Sequence, residues 1–231
     1  VKRFELGVAM RAYADSTSFE PGSVLGPQLS LEFSRHTLPG YGWLFPTGGR
    51  IVNIGIGVSA RDLRMRKLNI REMLKEYTAV IAGRGIELGS LQQCRSHCLP
   101  QFTSMPRLTY GHAALIGDAA SMINPVSGEG IEYGVAAARA LVNRLPRRLD
   151  SPDLAKALSS FESSFRSAYR SHFISSVAAY ALLRNSWWAS FMVRAAQRDP
   201  IVLKDSLEML FGSGRIKAST TARILRSGWT R

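Results

Sequence analysis

Between Val8 and Arg61 apolar and polar positions alternate with a period of two, which predicts an antiparallel sheet with one face buried. Gln28 to Ser34 puts Leu29, Leu31 and Phe33 on one face and Ser30, Glu32 and Ser34 on the other. Pro21-Gly22 and Gly26-Pro27 punctuate the connection before it. Tyr41-Gly42-Trp43-Leu44-Phe45-Pro46 reads as a second strand, with Tyr41, Trp43 and Phe45 on one side. Thr47-Gly48-Gly49 is a hairpin turn, and Ile51 to Val58 is the return strand. In the return strand Val52, Ile54, Ile56 and Val58 share one face, while Asn53, Gly55 and Gly57 share the other. Glycines on one face leave room for a second backbone or a flat ligand.

The period then changes. Asn69 is a helix cap, and Met73, Leu74, Tyr77, Val80 and Ile81 form the buried stripe of a helix from Ile70 to about Ala82, with Gly83 beyond it. Leu88 to Leu99 reads as a strand holding Cys94, His97 and Cys98. After Pro100, Pro106 and the Tyr110-Gly111 turn, Ala113 to Ile116 reads as a short buried strand that ends at Gly117-Asp118. A loop with Asn124-Pro125 and the run Ser127-Gly128-Glu129-Gly130 lead into a helix. Its apolar face is Ile131, Tyr133, Val135, Ala138, Leu141, Val142 and Leu145, and Pro146 ends it. Ser151-Pro152-Asp153 starts another helical stretch, marked by Leu154, Leu158, Phe161, Phe165 and Tyr169, which persists to about Arg198. Two short helices are expected after Asp199-Pro200, around Leu203 to Phe211 and Ile216 to Leu225. Phe173 to Val193 is largely apolar and carries Trp187-Trp188, but Arg184 and Asn185 near its middle argue against a transmembrane span.

The stretch from Ala113 to Leu145 carries the most chemistry. A helix entered through glycines presents its first N–H groups at the positive end of its dipole, a setting for an anion. Asp118, at a strand tip, can accept from paired hydroxyls of a ribose or ribityl chain. One motif would thus hold a sugar hydroxyl and a negative charge such as that around N1 and O2 of a reduced flavin. A second glycine pattern, Gly55-Ile56-Gly57-Val58-Ser59-Ala60, matches G-x-G-x-x-A. A basic loop from Arg61 to Lys67 is expected after it where a dinucleotide fingerprint needs a helix, and no acidic residue ends a second strand at the expected distance.

Composition narrows the partners. Hydrophobic residues make up 45% and charged residues 20% of 231, a globular composition. The formal charge is +13, carried mostly by scattered arginines with clusters at Arg61, Arg64, Arg66 and Lys67 and at Arg144, Arg147 and Arg148. No nucleic-acid signature accompanies them, so a solvated basic surface or a peripheral contact with the cell membrane is expected rather than nucleic acid. Two cysteines match no zinc pattern, no metal site is expected, and reduced thiols with no visible leader point to a cytoplasmic setting.

Gly117-Asp118-Ala119-Ala120, Asn124-Pro125 and Gly128-Glu129-Gly130-Ile131 together resemble the second FAD-contacting motif of the geranylgeranyl reductase family. Tyr41-Gly42-Trp43-Leu44-Phe45-Pro46 resembles that family's aromatic-W-x-F-P element beside the flavin. Ser121 stands where the related aromatic hydroxylases usually carry histidine. The resemblance implies an α/β fold of mixed α+β character. Residues 1–100 would be an antiparallel substrate sheet with one helix near 70–82, residues 101–150 the C-terminal part of a Rossmann-like FAD domain, and residues 151–231 a helical region. It implies FAD held by Gly117, Asp118, Pro125, Gly128, Gly130 and Ile131, and an isoprenoid lined by Tyr41, Trp43, Phe45 and Pro46. Reduced flavin, supplied by NADPH or another reductant, would deliver hydride to a double bond of a geranylgeranyl group or of a polyprenyl tail on a lipid or menaquinone. No acid–base pair stands out as catalytic. The family's N-terminal G-x-G-x-x-G turn and its later Asp-Gly element have no counterpart here, so the chain is expected to be the C-terminal portion of the family's pattern. A flavin monooxygenase-like relative and a non-catalytic piece that binds lipid or a partner are the alternatives.

Overall fold

The structure, a computed structural model, describes residues 6–19 and 28–229; the expected turns at Pro21-Gly22 and Gly26-Pro27 lie outside the described residues. The chain forms two compact units, one of residues 6–99 with 183–190 and the other of residues 100–182 with 191–231. The mixed α and β architecture, an antiparallel sheet followed by C-terminal helices, is the one expected.

In the sheet unit, β1 (Leu6–Asp15), β2 (Ser30–Glu32), β3 (Tyr41–Gly48), β4 (Ile51–Ser59) and β5 (Gln92–Pro100) lie in the order β2-β3-β4-β1-β5. Pairings of β4 with β1 and β3, and of β3 with β2, are antiparallel, and a register shift between Pro46 and Gly48 closes the predicted hairpin. Period two decides what each face carries. Val52, Ile54, Ile56 and Val58 are buried together with Met10, Ala12, Ala14 and Leu44. Over them lies α2 (Ile70–Gly83), which buries Met73, Leu74, Tyr77 and Ile81. Asn69 Oδ1 accepts from Arg71 N at 2.9 Å and starts that helix as expected. Gly42 is required here, because a Cβ at that position would stand 2.7 Å from Tyr77 Cζ. Burial also pushes the Tyr77 phenol well above its ordinary pKa, with the Glu32 charge adding to the rise.

Two local expectations need correction. Only Ser30–Glu32 of the predicted Gln28–Ser34 strand forms; Leu29 is 71% exposed, whereas Glu32 is buried at 8%. The cause is a bidentate ion pair, in which Arg84 Nη1 and Nη2 each donate to Glu32 at 2.8 Å. The segment expected as a basic loop opens with α1 (Ala60–Met65), because Ser59 Oγ accepts from Asp62 N at 3.0 Å and donates to Asp62 Oδ2 at 2.9 Å. Arg184 Nη2, 2.7 Å from Asp62 Oδ1, compensates the buried carboxylate. Cys94 and Cys98 are free and exposed on β5.

In the second unit, β6 (Thr109–Tyr110) and β7 (Ala113–Ala114) pair antiparallel. The expected buried strand from Ala113 to Ile116 is therefore this short hairpin with an extended tail, and Ala113 is exposed. Helix α3 (Ile131–Val142) follows, then α4 (Leu154–Leu183), α5 (Ser186–Arg198), α6 (Pro200–Phe211) and α7 (Ala218–Trp229). Leu154, Leu158, Phe161 and Phe165 of α4 are buried as the spacing predicts. The helical run breaks at Arg184-Asn185, and Asp199 Oδ1 caps α6 by accepting from Ile201 N at 2.9 Å. Helix α3 buries a narrower stripe than expected: Tyr133 and Ala137 are inside, but Ile131, Val135 and Val142 are 78%, 55% and 65% exposed. Among the described residues no helix is long and apolar enough to cross a membrane.

The contact between Gly42 and Tyr77 sets a stability test. Gly42→Ala is expected to lower the unfolding free energy by about 1–3 kcal/mol through overpacking. Gly83→Ala, where a Cβ meets nothing within 4 Å, is expected to be neutral or to stabilise by up to ~1 kcal/mol. Urea unfolding of the two variants beside the parent measures both.

Candidate functional site

The loop between the β6–β7 hairpin and α3 is built around one buried amide. Asn124 is fully buried. Its N–H donates to Glu129 O at 2.8 Å, its carbonyl accepts from Gly128 N at 2.9 Å, and its Oδ1 accepts from Val126 N at 2.9 Å. These three bonds close the 124–129 loop on itself. On the inner side Asn124 Nδ2 donates to Met209 O at 2.9 Å and lies 3.3–3.4 Å from Ser176 Oγ, Tyr133 OH and His172 Nε2. The same loop is thereby tied to α3, α4 and α6.

Tyr133 and His172 continue the network. Tyr133 OH lies 2.8 Å from His172 Nε2 and 2.9 Å from Gly212 O, and His172 Nδ1 lies 2.6 Å from Gly214 O. A carbonyl only accepts, so His172 Nδ1 carries a proton, and the single Tyr133 hydroxyl hydrogen is shared between Gly212 O and His172 Nε2. Burial pushes the His172 pKa down, against a smaller upward pull from Gly214 O, and the ring is neutral. Burial likewise pushes the Tyr133 phenol up to about 12, despite the Asn124 hydrogen bond. None of His172, Tyr133 and Ser176 stands out in the sequence as a polar centre; Tyr133 reads there only as part of an apolar stripe.

The hairpin leading to the motif is fixed from α4. Glu162 Oε2 accepts from Leu108 N, Thr109 N and Thr109 Oγ1 at 3.1, 3.0 and 2.8 Å. Its Oε1 accepts from Arg166 Nε and Nη2 at 3.0 and 2.9 Å. Burial would raise the Glu162 pKa, but these donors outweigh it and hold the carboxyl low.

The Gly117–Ala120 segment is a tight 3-10 turn. Gly117 has φ +59°, and Ser121 has φ 53° where the turn closes. Helix α3 comes close to it: a Cβ on Gly134 would be 3.5 Å from Gly117 Cα. One on Gly130 would be 2.9 Å from Ile123 Cγ1 and 3.8 Å from Asp118 Oδ1. The fold therefore brings Gly117, Asp118 and Gly130 together. Asp118 is exposed, and among the described residues no donor is recorded on its carboxylate. Pro125 is buried, with its carbonyl oxygen accepting from Gln101 Nε2 at 3.3 Å. Gly128 has φ +70°, in the left-handed region that favours glycine.

The start of α3 differs from the expected bare N-terminus. Glu129 Oε1 accepts from Ile131 N at 2.8 Å and from Glu132 N at 3.3 Å. The positive end of the helix is thus covered by the chain's own carboxylate. Partial burial first, and the Glu129 charge second, raise the Glu132 pKa.

In the sheet unit, Tyr41, Trp43 and Phe45 are half-buried in one row, with ring centroids 5.9 and 6.4 Å apart, and Phe33 extends it at 5.6 Å from Tyr41. Trp43 Nε1 donates to Asn53 Oδ1 at 2.8 Å. A Cβ on Gly55 would overlap the Trp43 indole, and one on Gly57 would touch Tyr41 and Trp43 at 3.5–3.7 Å. The glycine face expected to admit a second backbone or a ligand is filled by the protein's own rings, which also removes any reading of Gly55 and Gly57 as a dinucleotide turn. Pro46 pairs with Val52 and so belongs by period two to the opposite face, not to the aromatic row. Two open cavities, about 710 Å³ beside Asp15, Arg50 and Glu87 and about 520 Å³ beside Arg107, Glu162 and Arg166, are lined by none of the residues predicted from sequence.

Comparison with known proteins gives this geometry a context. Residues 30–89 match the geranylgeranyl reductase catalytic domain. Menaquinone reductase of Mycobacterium tuberculosis is 36% identical over 151 residues, 65% of this chain and 36% of that protein. Digeranylgeranylglycerophospholipid reductase of Methanocella arvoryzae is 29% identical over 131 residues, 56% of this chain and 32% of that protein. The chain thus spans about a third of the length of the curated relatives it matches. A geranylgeranyl bacteriochlorophyll reductase-like structure from Thermoplasma acidophilum superposes with TM-score 0.66 at 17% identity, over 99% of this chain and 53% of that one. The flavin-dependent brominase Bmp2 superposes with TM-score 0.62 at 10% identity, over 96% of this chain and 54% of that one. At these identities the structural likeness speaks for the fold.

The buried histidine predicts a pH dependence. Its native pKa is depressed, so the stability tied to neutral His172 is present above the unfolded value of about 6.5 and is lost as pH falls from there toward the native pKa. In that window the slope is at most about 1.4 kcal/mol per pH unit for one proton. Urea unfolding between pH 7.5 and about 5.5 is expected to show this loss in the parent and a flatter profile in His172→Gln.

Proposed function

We propose, for a chain related to the geranylgeranyl reductases, that it is part of an FAD-dependent reductase of isoprenoid double bonds, acting on a geranylgeranyl group or on the polyprenyl tail of a lipid or menaquinone. The observation that carries the reading is the Asp118 carboxylate, without a donor among the described residues and held on a left-handed glycine turn against the close-approaching glycines of α3. This arrangement fits a flavin nucleotide. Asp118 offers acceptors to paired hydroxyls, and the space where a Gly117 side chain would stand is open to 4 Å. Gly117, Asp118, Pro125, Gly128, Gly130 and Ile131 are the residues that would hold the cofactor.

Bound FAD, reduced by NADPH or another reductant, would supply the hydride. The protein's part is to bind and orient. Asp118 would accept hydrogen bonds from hydroxyls, and the Asn124 network keeps the 124–129 loop in one shape before any ligand arrives. The Ile131 N–H becomes available to a ligand once Glu129 turns away from it. Tyr41, Trp43 and Phe45 present rigid apolar ground to an isoprenoid, and the indole is fixed by Asn53. The relatives named menaquinone reductase and digeranylgeranylglycerophospholipid reductase support the substrate class. The net charge of +13 supports a peripheral contact with anionic lipid at the cytoplasmic face of the membrane.

The test is an absorbance spectrum of the purified chain after incubation with FAD and desalting. The parent is expected to retain a flavin band that Asp118→Ala reduces by tenfold or more, on the order of the loss of a charged hydrogen-bond acceptor. A parent that retains no flavin, or an Asp118→Ala variant that retains as much as the parent, contradicts the proposal.

A further inference from the structure

On the aromatic face of the sheet one cation has a buried donor without an acceptor. Arg11 of β1 is paired across from Gly55, which is itself paired with Trp43 on β3. Trp43, Gly55 and Arg11 therefore form one row across three strands and share a face. The next row along is Phe45, Asn53 and Tyr13. The Arg11 guanidinium lies over the Tyr13 ring, 4.7 Å from its centroid. Its Nη1 is buried and has no hydrogen-bond partner.

The nearby polar groups do not meet this need. Asn53 Oδ1 already accepts from the Trp43 indole at 2.8 Å, and the Tyr13 ring offers a π face rather than a lone pair. A buried donor of this kind is stabilised when a ligand brings an oxygen to it. Because Arg11 and Trp43 are two strand spacings apart, about 10 Å, that oxygen lies across the sheet from the aromatic row rather than on it. A molecule with an apolar chain along Phe33, Tyr41, Trp43 and Phe45 and a polar head reaching over β4 toward β1 matches this layout.

We infer that Arg11 binds the head group of the isoprenoid substrate, with its Nη1 donating to a head-group oxygen while the chain lies on the Tyr41–Phe45 row. The acceptor is a quinone carbonyl oxygen or a phosphate oxygen, two sources of the same chemistry. The inference rests on the reading of this sheet face as the isoprenoid site and adds to it a polar end and a direction.

Tryptophan-fluorescence titrations in detergent micelles test it with three probes: menaquinone-4, geranylgeranyl diphosphate, and squalene, which has a chain but no head group. Arg11→Met is expected to weaken at least one of the two headed probes by tenfold or more and to leave squalene unchanged. Loss for menaquinone-4 assigns the quinone oxygen, and loss for the diphosphate assigns the phosphate oxygen. Arg11→Gln, which keeps a neutral donor and most of the length, repeats the comparison if the methionine variant fails to fold. Unchanged binding of both headed probes overturns the role of Arg11, and so does an equal loss for squalene. A parent that binds none of the three overturns the isoprenoid reading of the face itself.

Discussion

A single buried amide holds the 124–130 loop in place. Asn124 uses its backbone N–H, its carbonyl, its side-chain oxygen and its side-chain nitrogen, and each is bonded inside the protein. Because the residue is fully buried, an unmade bond there would carry the full desolvation cost of the group. The loop consequently has one low-energy shape, and the tyrosine–histidine pair behind it extends that constraint to Gly212 and Gly214 beyond α6. The glycine turn at Gly117 and the start of α3 can then lie within van der Waals distance of each other without a ligand between them.

The sheet unit reaches rigidity by a different route. Its glycines are the complements of its aromatic rings: Gly42 receives Tyr77 on one face, and Gly55 receives Trp43 on the other. Close packing of this kind fixes ring positions without polar bonds and is sensitive to one added methyl group. The cost appears at Arg11, whose buried donor is left over; in the other unit the chain covers the α3 N-terminus with Glu129. Both are places where the protein alone is not at its polar optimum or has supplied its own substitute for a ligand. They are also where a head group and a cofactor are assigned.

Much of this was legible from residue order. The β3–β4 hairpin followed from period two and the Thr47-Gly48-Gly49 turn, and α2 from Asn69 and its stripe, because both signals are local. The errors share a cause. Glu32 looked like a solvent-facing residue until Arg84, 52 positions later, paired with it. Ala113 to Ile116 has the composition of a buried strand, but its pairing with Thr109-Tyr110 is a short hairpin. The polar role of Tyr133 and His172 depends on partners 39 to 79 residues apart, and no local spacing encodes a distance of that length. Arg11 carried no signal in the sequence, since the burial of its Nη1 is a tertiary fact.

The most direct test of the Asn124 account is amide hydrogen exchange on the parent and on Asn124→Leu, which keeps the branched shape and removes the side-chain bonds. The account predicts that the Val126 and Gly128 amides exchange at least tenfold faster in the variant, since each loses a bond or the fold that supports it, while the amides of β4 keep their protection. Unchanged protection at Val126 and Gly128 would show that the loop is held by something other than Asn124 and would contradict the account.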